Sequence, residues 1–149
     1  MKFSNLIKID QIQINVNANS KKKALETISQ IISDCYPQYP GNKVFETLVE
    51  RERLGSTGIG HGVALPHGRL SNCKEAIGIF IRLIDGVDFN SVDRKKVKFI
   101  FALLVPENST QEHLEILSKL AQFFRQEDKR QAIEKSTSIE TIYQLFIDL

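Results

Sequence analysis

A chain of 149 residues has room for one domain that buries about two-thirds of its unfolded surface. Its 20 basic and 18 acidic residues nearly cancel, to a net charge of +2, which argues against nucleic acid as a partner. With 42% hydrophobic and 26% charged residues it reads as an ordinary globular chain, and its longest apolar run, 99–105, is far short of the ~20 residues that span a bilayer. No signal-peptide pattern follows Met1, so no membrane insertion and a cytoplasmic location are expected. Cys35 and Cys73 are too far apart to form a metal or redox motif, and both are expected as free thiols with little exposure.

Ile12, Ile14 and Val16 alternate with polar residues, the period of a half-buried strand. Ser20 is the expected cap of a helix with Ala24, Leu25, Ile28, Ile31, Ile32 and Cys35 on one stripe. Lys21, Lys22 and Lys23 fall in its first turn, where a solvated helix start explains them better than a phosphate-backbone site. After a break over 37–41, a second helix turns Val44, Phe45, Leu48 and Val49 inward and runs to Arg51.

The stretch from Arg51 to Leu70 then holds five of the eight glycines and two of the three histidines. Such glycine density marks turn backbone or surfaces that another chain segment approaches closely. Residues 62–65 can form only a short strand before Pro66, which has no N–H to give to a ladder. Pro66 and Gly68 should hold the imidazole of His67 on a stiff, open backbone.

Residues 76–84 and 97–105 are almost continuously apolar, as in strands covered on both faces. Their link, 85–96, carries turn signals and no helical pattern, which favours a loose hairpin and a mixed sheet. Ser109 to Glu112 reads as a capping box opening a helix that buries Leu114, Leu117, Ala121 and Phe124, flanked by Ile116, Leu120 and Phe123. A short polar helix over 127–135 follows, and Thr137 to Glu140 is a second capping box, opening a last helix with Ile139, Ile142, Tyr143 and Phe146. The expected fold is α/β, a mixed parallel/antiparallel sheet of about five strands with helices on both faces, in a single domain over 1–149.

Among candidate functional residues His67 stands first. A neutral imidazole can attack phosphorus with one nitrogen while the other keeps its proton on an acceptor, so it suits a phosphoryl carrier. His113 reads from the sequence alone as a boundary residue of its helix, although a first helical turn also attracts anions. Either Arg51 or Arg53 is placed to offer a fixed positive charge, and the sequence does not choose between them. His61, between two glycines, reads as a surface loop residue. The glycine pattern lacks the Gly-Lys-Ser/Thr of a nucleotide loop and follows a helix rather than a strand. His61, His67 and His113 form no compact zinc pattern, so neither metal nor cofactor is expected.

The segment from Arg51 to Leu70, with Gly55-Ser56-Thr57-Gly58-Ile59-Gly60 and Ala64-Leu65-Pro66-His67-Gly68, closely resembles the active-site segment of phosphotransferase-system (PTS) enzyme IIA proteins of the fructose/mannitol class. The resemblance continues through Phe101-Ala102-Leu103-Leu104-Val105-Pro106 and the helix with His113, and it is strongest to the nitrogen-related branch. It implies that His67 is phosphorylated on Nε2 by an HPr/NPr-type phosphocarrier protein. It also implies that His113 and Arg51, rather than Arg53, are the supporting residues, and that His61 stands where many relatives have asparagine. For the nitrogen-related branch it implies a regulator that binds targets such as potassium-transport components according to phosphorylation state. A sugar-uptake IIA component that passes phosphate to a IIB domain is the alternative, and a binding module without phosphotransfer is the rival from another class.

Overall fold

A computed structural model of the chain describes residues 2–109 and 111–149. Two 3-10 turns, Phe3–Asn5 and Ile9–Gln11, precede strand β1 (Ile12–Val16), helix α1 (Lys21–Cys35) and helix α2 (Gly41–Arg53). Then come β2 (Gly58–Gly60), β3 (Val63–Ala64), β4 (His67–Leu70), β5 (Ile77–Val87) and β6 (Val97–Pro106). Helices α3 (Gln111–Arg125), α4 (Glu127–Lys135) and α5 (Ile139–Ile147) complete the described chain.

The strands form one six-stranded sheet in the order β1-β5-β6-β3-β2, with β4 also paired to β6. Pairing is mixed, as expected: β1 runs parallel to β5, β3 and β4 run parallel to β6, and the other two pairs are antiparallel. β5 and β6 form the expected hairpin, with β5 running three residues further than its apolar run suggested.

Alternation along β5 and β6 explains why both runs are apolar throughout. Ile79, Ile81, Ile100, Ala102 and Leu104 face α1 and α2, together with Ile28, Ile32, Val44 and Leu48. Phe80, Phe101, Leu103 and Val105 face the opposite helices, with Ile116, Leu120, Phe124 and Phe146. The second layer is rich in phenylalanine: Phe146 of α5 lies 5.1 Å, centroid to centroid, from both Phe80 and Phe101. Contacts of this kind add to what burial alone contributes.

Several local expectations are corrected. The buried row of α3 is Ile116, Leu120, Phe123 and Phe124, while Leu117 and Ala121 are only partly covered and Leu114 is 54% exposed. Both rows fit a helical period, and docking against the aromatic layer selects the second. The capping box at Ser109 runs through Thr110, which lies outside the described residues. In α5 the cap is Ser138 rather than Thr137, its Oγ accepting from Thr141 N at 3.3 Å. Pro66 does not end the edge of the sheet. Its carbonyl accepts from Leu103 N at 2.9 Å, and β4 resumes the pairing with β6 from His67 onward. A missing N–H is tolerated there because it falls between two short strands.

Lys21 is more than a solvated helix start. Its Nζ lies 2.8 Å from Glu52 Oε2 and 4.8 Å from the centre of the Phe89 ring. Arg82, inside β5, is buried, and its Nη1 donates to the carbonyls of Ile133 (2.7 Å) and Ser136 (2.6 Å), which end α4. Cys35 and Cys73 are free, one half-buried and one buried. No described helix is long and apolar enough to cross a membrane.

Candidate functional site

β4 places His67 opposite Leu103 and Gly68 opposite Leu104 on β6. Successive residues of a strand face opposite sides, so Gly68 looks toward α2 while His67 and Arg69 look toward the side where α3 begins. A Cβ added at Gly68 would stand 2.8 Å from Thr47 Cγ2. The glycine therefore admits helix α2 of the same chain, a close approach of the kind that the glycine density of 51–70 predicts.

His67, half-buried, has Nδ1 2.8 Å from the carbonyl oxygen of Leu65. A carbonyl only accepts, so Nδ1 carries the proton and donates it. Among the described residues Nε2 has no hydrogen-bond partner, which leaves its lone pair free. Burial is the largest influence on this imidazole and lowers its pKa from the ordinary value; the Leu65 hydrogen bond opposes that, and the Arg51 and His113 charges add to the lowering. The neutral, nucleophilic form is thus the one present at neutral pH.

Around His67 the chain forms an open cavity of about 370 Å³, whose lining includes Arg51, Arg69, His113, Glu50 and Leu54. Arg51 comes from the last turn of α2, and its Nη1 donates to Gly55 O at 3.0 Å. Among the described residues only one of its donors is used, and the rest of the guanidinium fork faces toward an anion site. Arg53 lies instead in a groove between α1 and α2 with Lys22, Leu25 and Phe45. The two arginines that the sequence left undecided thus occupy different clefts, and only Arg51 is in that of His67.

His113, in the first turn of α3, lines the same cavity, with Nδ1 3.5 Å from Ser109 Oγ. Burial, then the charge of Arg69, lowers its pKa. Arg69 is the residue the sequence reading missed. Its Nη1 donates to Glu107 O at 2.9 Å and to Ser109 O, which ties β4 to the segment that leads into α3. The signal was available, since Arg69 is two residues from His67 and strand alternation puts both on one face.

His61 is elsewhere. With Gly62 it makes the two-residue loop of the β2–β3 hairpin, both at positive φ (59° and 76°), as such loops require. Its backbone N donates to Asp93 Oδ2 at 3.2 Å, and its side chain lines a separate cavity with Phe99, Glu127 and Arg130.

Residues 5–148 match the model of the family described as "Phosphoenolpyruvate-dependent sugar phosphotransferase system, EIIA 2". The chain belongs to this family. A nitrogen regulatory protein of Pseudomonas aeruginosa is 39% identical over 150 residues, covering 97% of each chain. The crystal structure of nitrogen regulatory protein IIA-Ntr from Neisseria meningitidis superposes with a TM-score of 0.91 at 40% identity, over 97% of this chain and 98% of that one. A fructose-specific EIIA component of Haloferax volcanii is more distant, at 27% identity over 99% of this chain and 96% of its own. Membership makes this protein a component of the phosphotransferase system, with the α/β architecture of its relatives.

Proposed function

We propose that this IIA protein is a histidine phosphoryl carrier, with His67 as acceptor. The observation that carries the reading is the 2.8 Å contact between His67 Nδ1 and Leu65 O, which leaves Nε2 as the nucleophile of a cavity that Arg51 and Arg69 line. In the transfer, the Nε2 lone pair forms a new N–P bond while the P–N bond to the donor's phosphohistidine breaks. The released electron pair returns to the donor ring, which leaves as neutral imidazole because its other nitrogen holds a proton, as Nδ1 of His67 does, so no external proton is required. Arg51 and His113 stabilise charge on the phosphoryl oxygens, since such transfers depend on positioning and electrostatics more than on covalent help.

The donor in this reading is an HPr/NPr-type phosphocarrier protein, and the reaction takes place in the cytoplasm. Of the two branches, the regulatory one is favoured by the fall in identity from nitrogen regulatory relatives (39%) to a fructose-specific one (27%). Its phosphorylation state would then govern binding to targets such as potassium-transport components.

Incubation with enzyme I, phosphocarrier and phosphoenolpyruvate should add one acid-labile, base-stable phosphoryl group, which His67→Ala abolishes. Equal labelling of that variant removes His67 from the role. Failure of the wild type to label with a competent donor favours a binding module without phosphotransfer. A pull-down with phosphorylated protein and with His67→Ala tests the branch: a fructose-type IIB as the dominant acceptor would place the protein in sugar uptake instead.

A further inference from the structure

Glu52 follows Arg51 in the last turn of α2, yet it is only 8% exposed. Its Oε2 accepts from Thr57 N at 2.9 Å and lies 2.8 Å from Lys21 Nζ, while its Oε1 accepts from Thr57 Oγ1 at 2.6 Å. A buried carboxylate is tolerated when paired and hydrogen-bonded in this way. These contacts close the chain from residue 52 to residue 57 and tie the closed turn to the start of α1.

Inside that turn, Gly55 N donates to Glu52 O at 3.2 Å, and Gly55 O is the acceptor for Arg51 Nη1. The guanidinium that lines the His67 cavity is therefore held by a carbonyl whose position depends on the Glu52–Thr57 closure. A disordered turn would release Arg51 into its many solvated rotamers, and ordering it again would be charged to each transfer.

We infer that Glu52 is a positioning residue for phosphoryl transfer: through Thr57 and Gly55 it holds Arg51 against the cavity of His67. The inference rests on the phosphoryl-carrier reading for its kinetic consequence, but its structural consequence is independent of that reading. Glu52 is not among the residues that line the His67 cavity. Its own negative charge also raises the His67 pKa slightly, against the effect of Arg51.

The test uses the full chain carrying Glu52→Gln, Thr57→Val or Thr57→Ser, each checked for folding by circular dichroism. The first readout is the Arg51 Nε–H cross-peak in a 15N NMR spectrum, assigned by its loss in Arg51→Lys. It should be ordered in the wild type, collapse to the exposed-arginine position in Glu52→Gln and Thr57→Val, and return in Thr57→Ser, which keeps the donor hydroxyl. The second readout is transfer kinetics. For Glu52→Gln and Thr57→Val, kcat should fall roughly tenfold or more, as when a catalytic group is misplaced, with KM for the phosphocarrier unchanged.

An unmoved Arg51 signal in folded Glu52→Gln overturns the inference. So does a change confined to stability, with kcat per folded molecule intact. If the wild type accepts no phosphoryl group, the carrier reading fails, and the Arg51 signal alone decides the role of Glu52. A variant that does not fold at the assay temperature passes the decision to Thr57→Val and Thr57→Ser, which leave the Lys21–Glu52 pair in place.

Discussion

The ring of His67 donates from Nδ1 to the carbonyl of Leu65, two residues earlier across Pro66, at 2.8 Å. Proline's fixed φ holds that carbonyl in place, so the tautomer is set by the backbone rather than by a second side chain. The nucleophilic nitrogen of the proposed carrier is thus written into Leu65-Pro66-His67.

The first prediction concerns pH. The folded imidazole has a pKa below its ordinary 6.5, chiefly through burial. Nucleophilic activity should persist below pH 6.5 and fall only as pH passes the lowered value. Stability carries the corresponding sign. In the window between the two values the unfolded chain binds more protons, so stability is full above 6.5 and is lost progressively as pH falls toward the folded value. An NMR titration of the His67 ring checks this, and a midpoint above 6.5 would contradict it.

Arg51→Ala and His113→Ala should each slow transfer by ~10²-fold while leaving the fold intact, if each supplies a donor to the phosphoryl oxygens. His61→Ala should have little effect, because its side chain lines a different cavity. Single-turnover transfer from the phosphorylated carrier measures all three. Wild-type rates for the first two would leave His67 as a lone acceptor.

Gly68→Ala should destabilise the protein by about 1–3 kcal/mol, the cost of forcing atoms into a filled space. The added methyl would meet Thr47 Cγ2 at 2.8 Å. Thr47→Ser deletes that methyl and should recover part of the loss in the double variant, read from urea unfolding. Equal destabilisation with and without Thr47→Ser would show that the clash is not the cause.

Much of this was legible in the sequence, for physical reasons that also mark where the reading stopped. Two almost continuously apolar runs pointed to strands covered on both faces, and the link without a helical pattern favoured a mixed sheet over an all-parallel one. The glycine-rich segment declared its turns, with Gly55, Gly60 and Gly62 at positive φ, and Pro66 and Gly68 singled out His67 between them. What sequence periodicity does not encode is the partner across space. Lys21 with Glu52, Gly68 with Thr47 and Arg69 with the carbonyls of 107 and 109 each join segments that meet only in the folded chain. Leu114 failed for a related reason: two apolar rows on α3 fit the same period, and only the aromatic layer beneath decides between them.

Arg82 supplies a fourth prediction, outside the site. It is a buried cation whose Nη1 donates to two carbonyls at the C-terminal end of α4. Arg82→Met keeps much of the volume but leaves both carbonyls without that donor. It should cost about 1.5–3 kcal/mol, the range for a hydrogen bond to a charged group, with transfer kinetics per folded molecule unchanged. Denaturant unfolding measures the first part and single-turnover transfer the second. An unchanged unfolding midpoint would mean that water replaces the guanidinium.

Phosphate on one particular nitrogen of His67 is read directly by 15N-resolved NMR of the phosphorylated protein. With uniformly 15N-labelled histidine, a phosphorus coupling should fall on Nε2 of His67 while Nδ1 keeps its proton on Leu65 O. A coupling to Nδ1, or a phosphorylated residue other than His67, would contradict it.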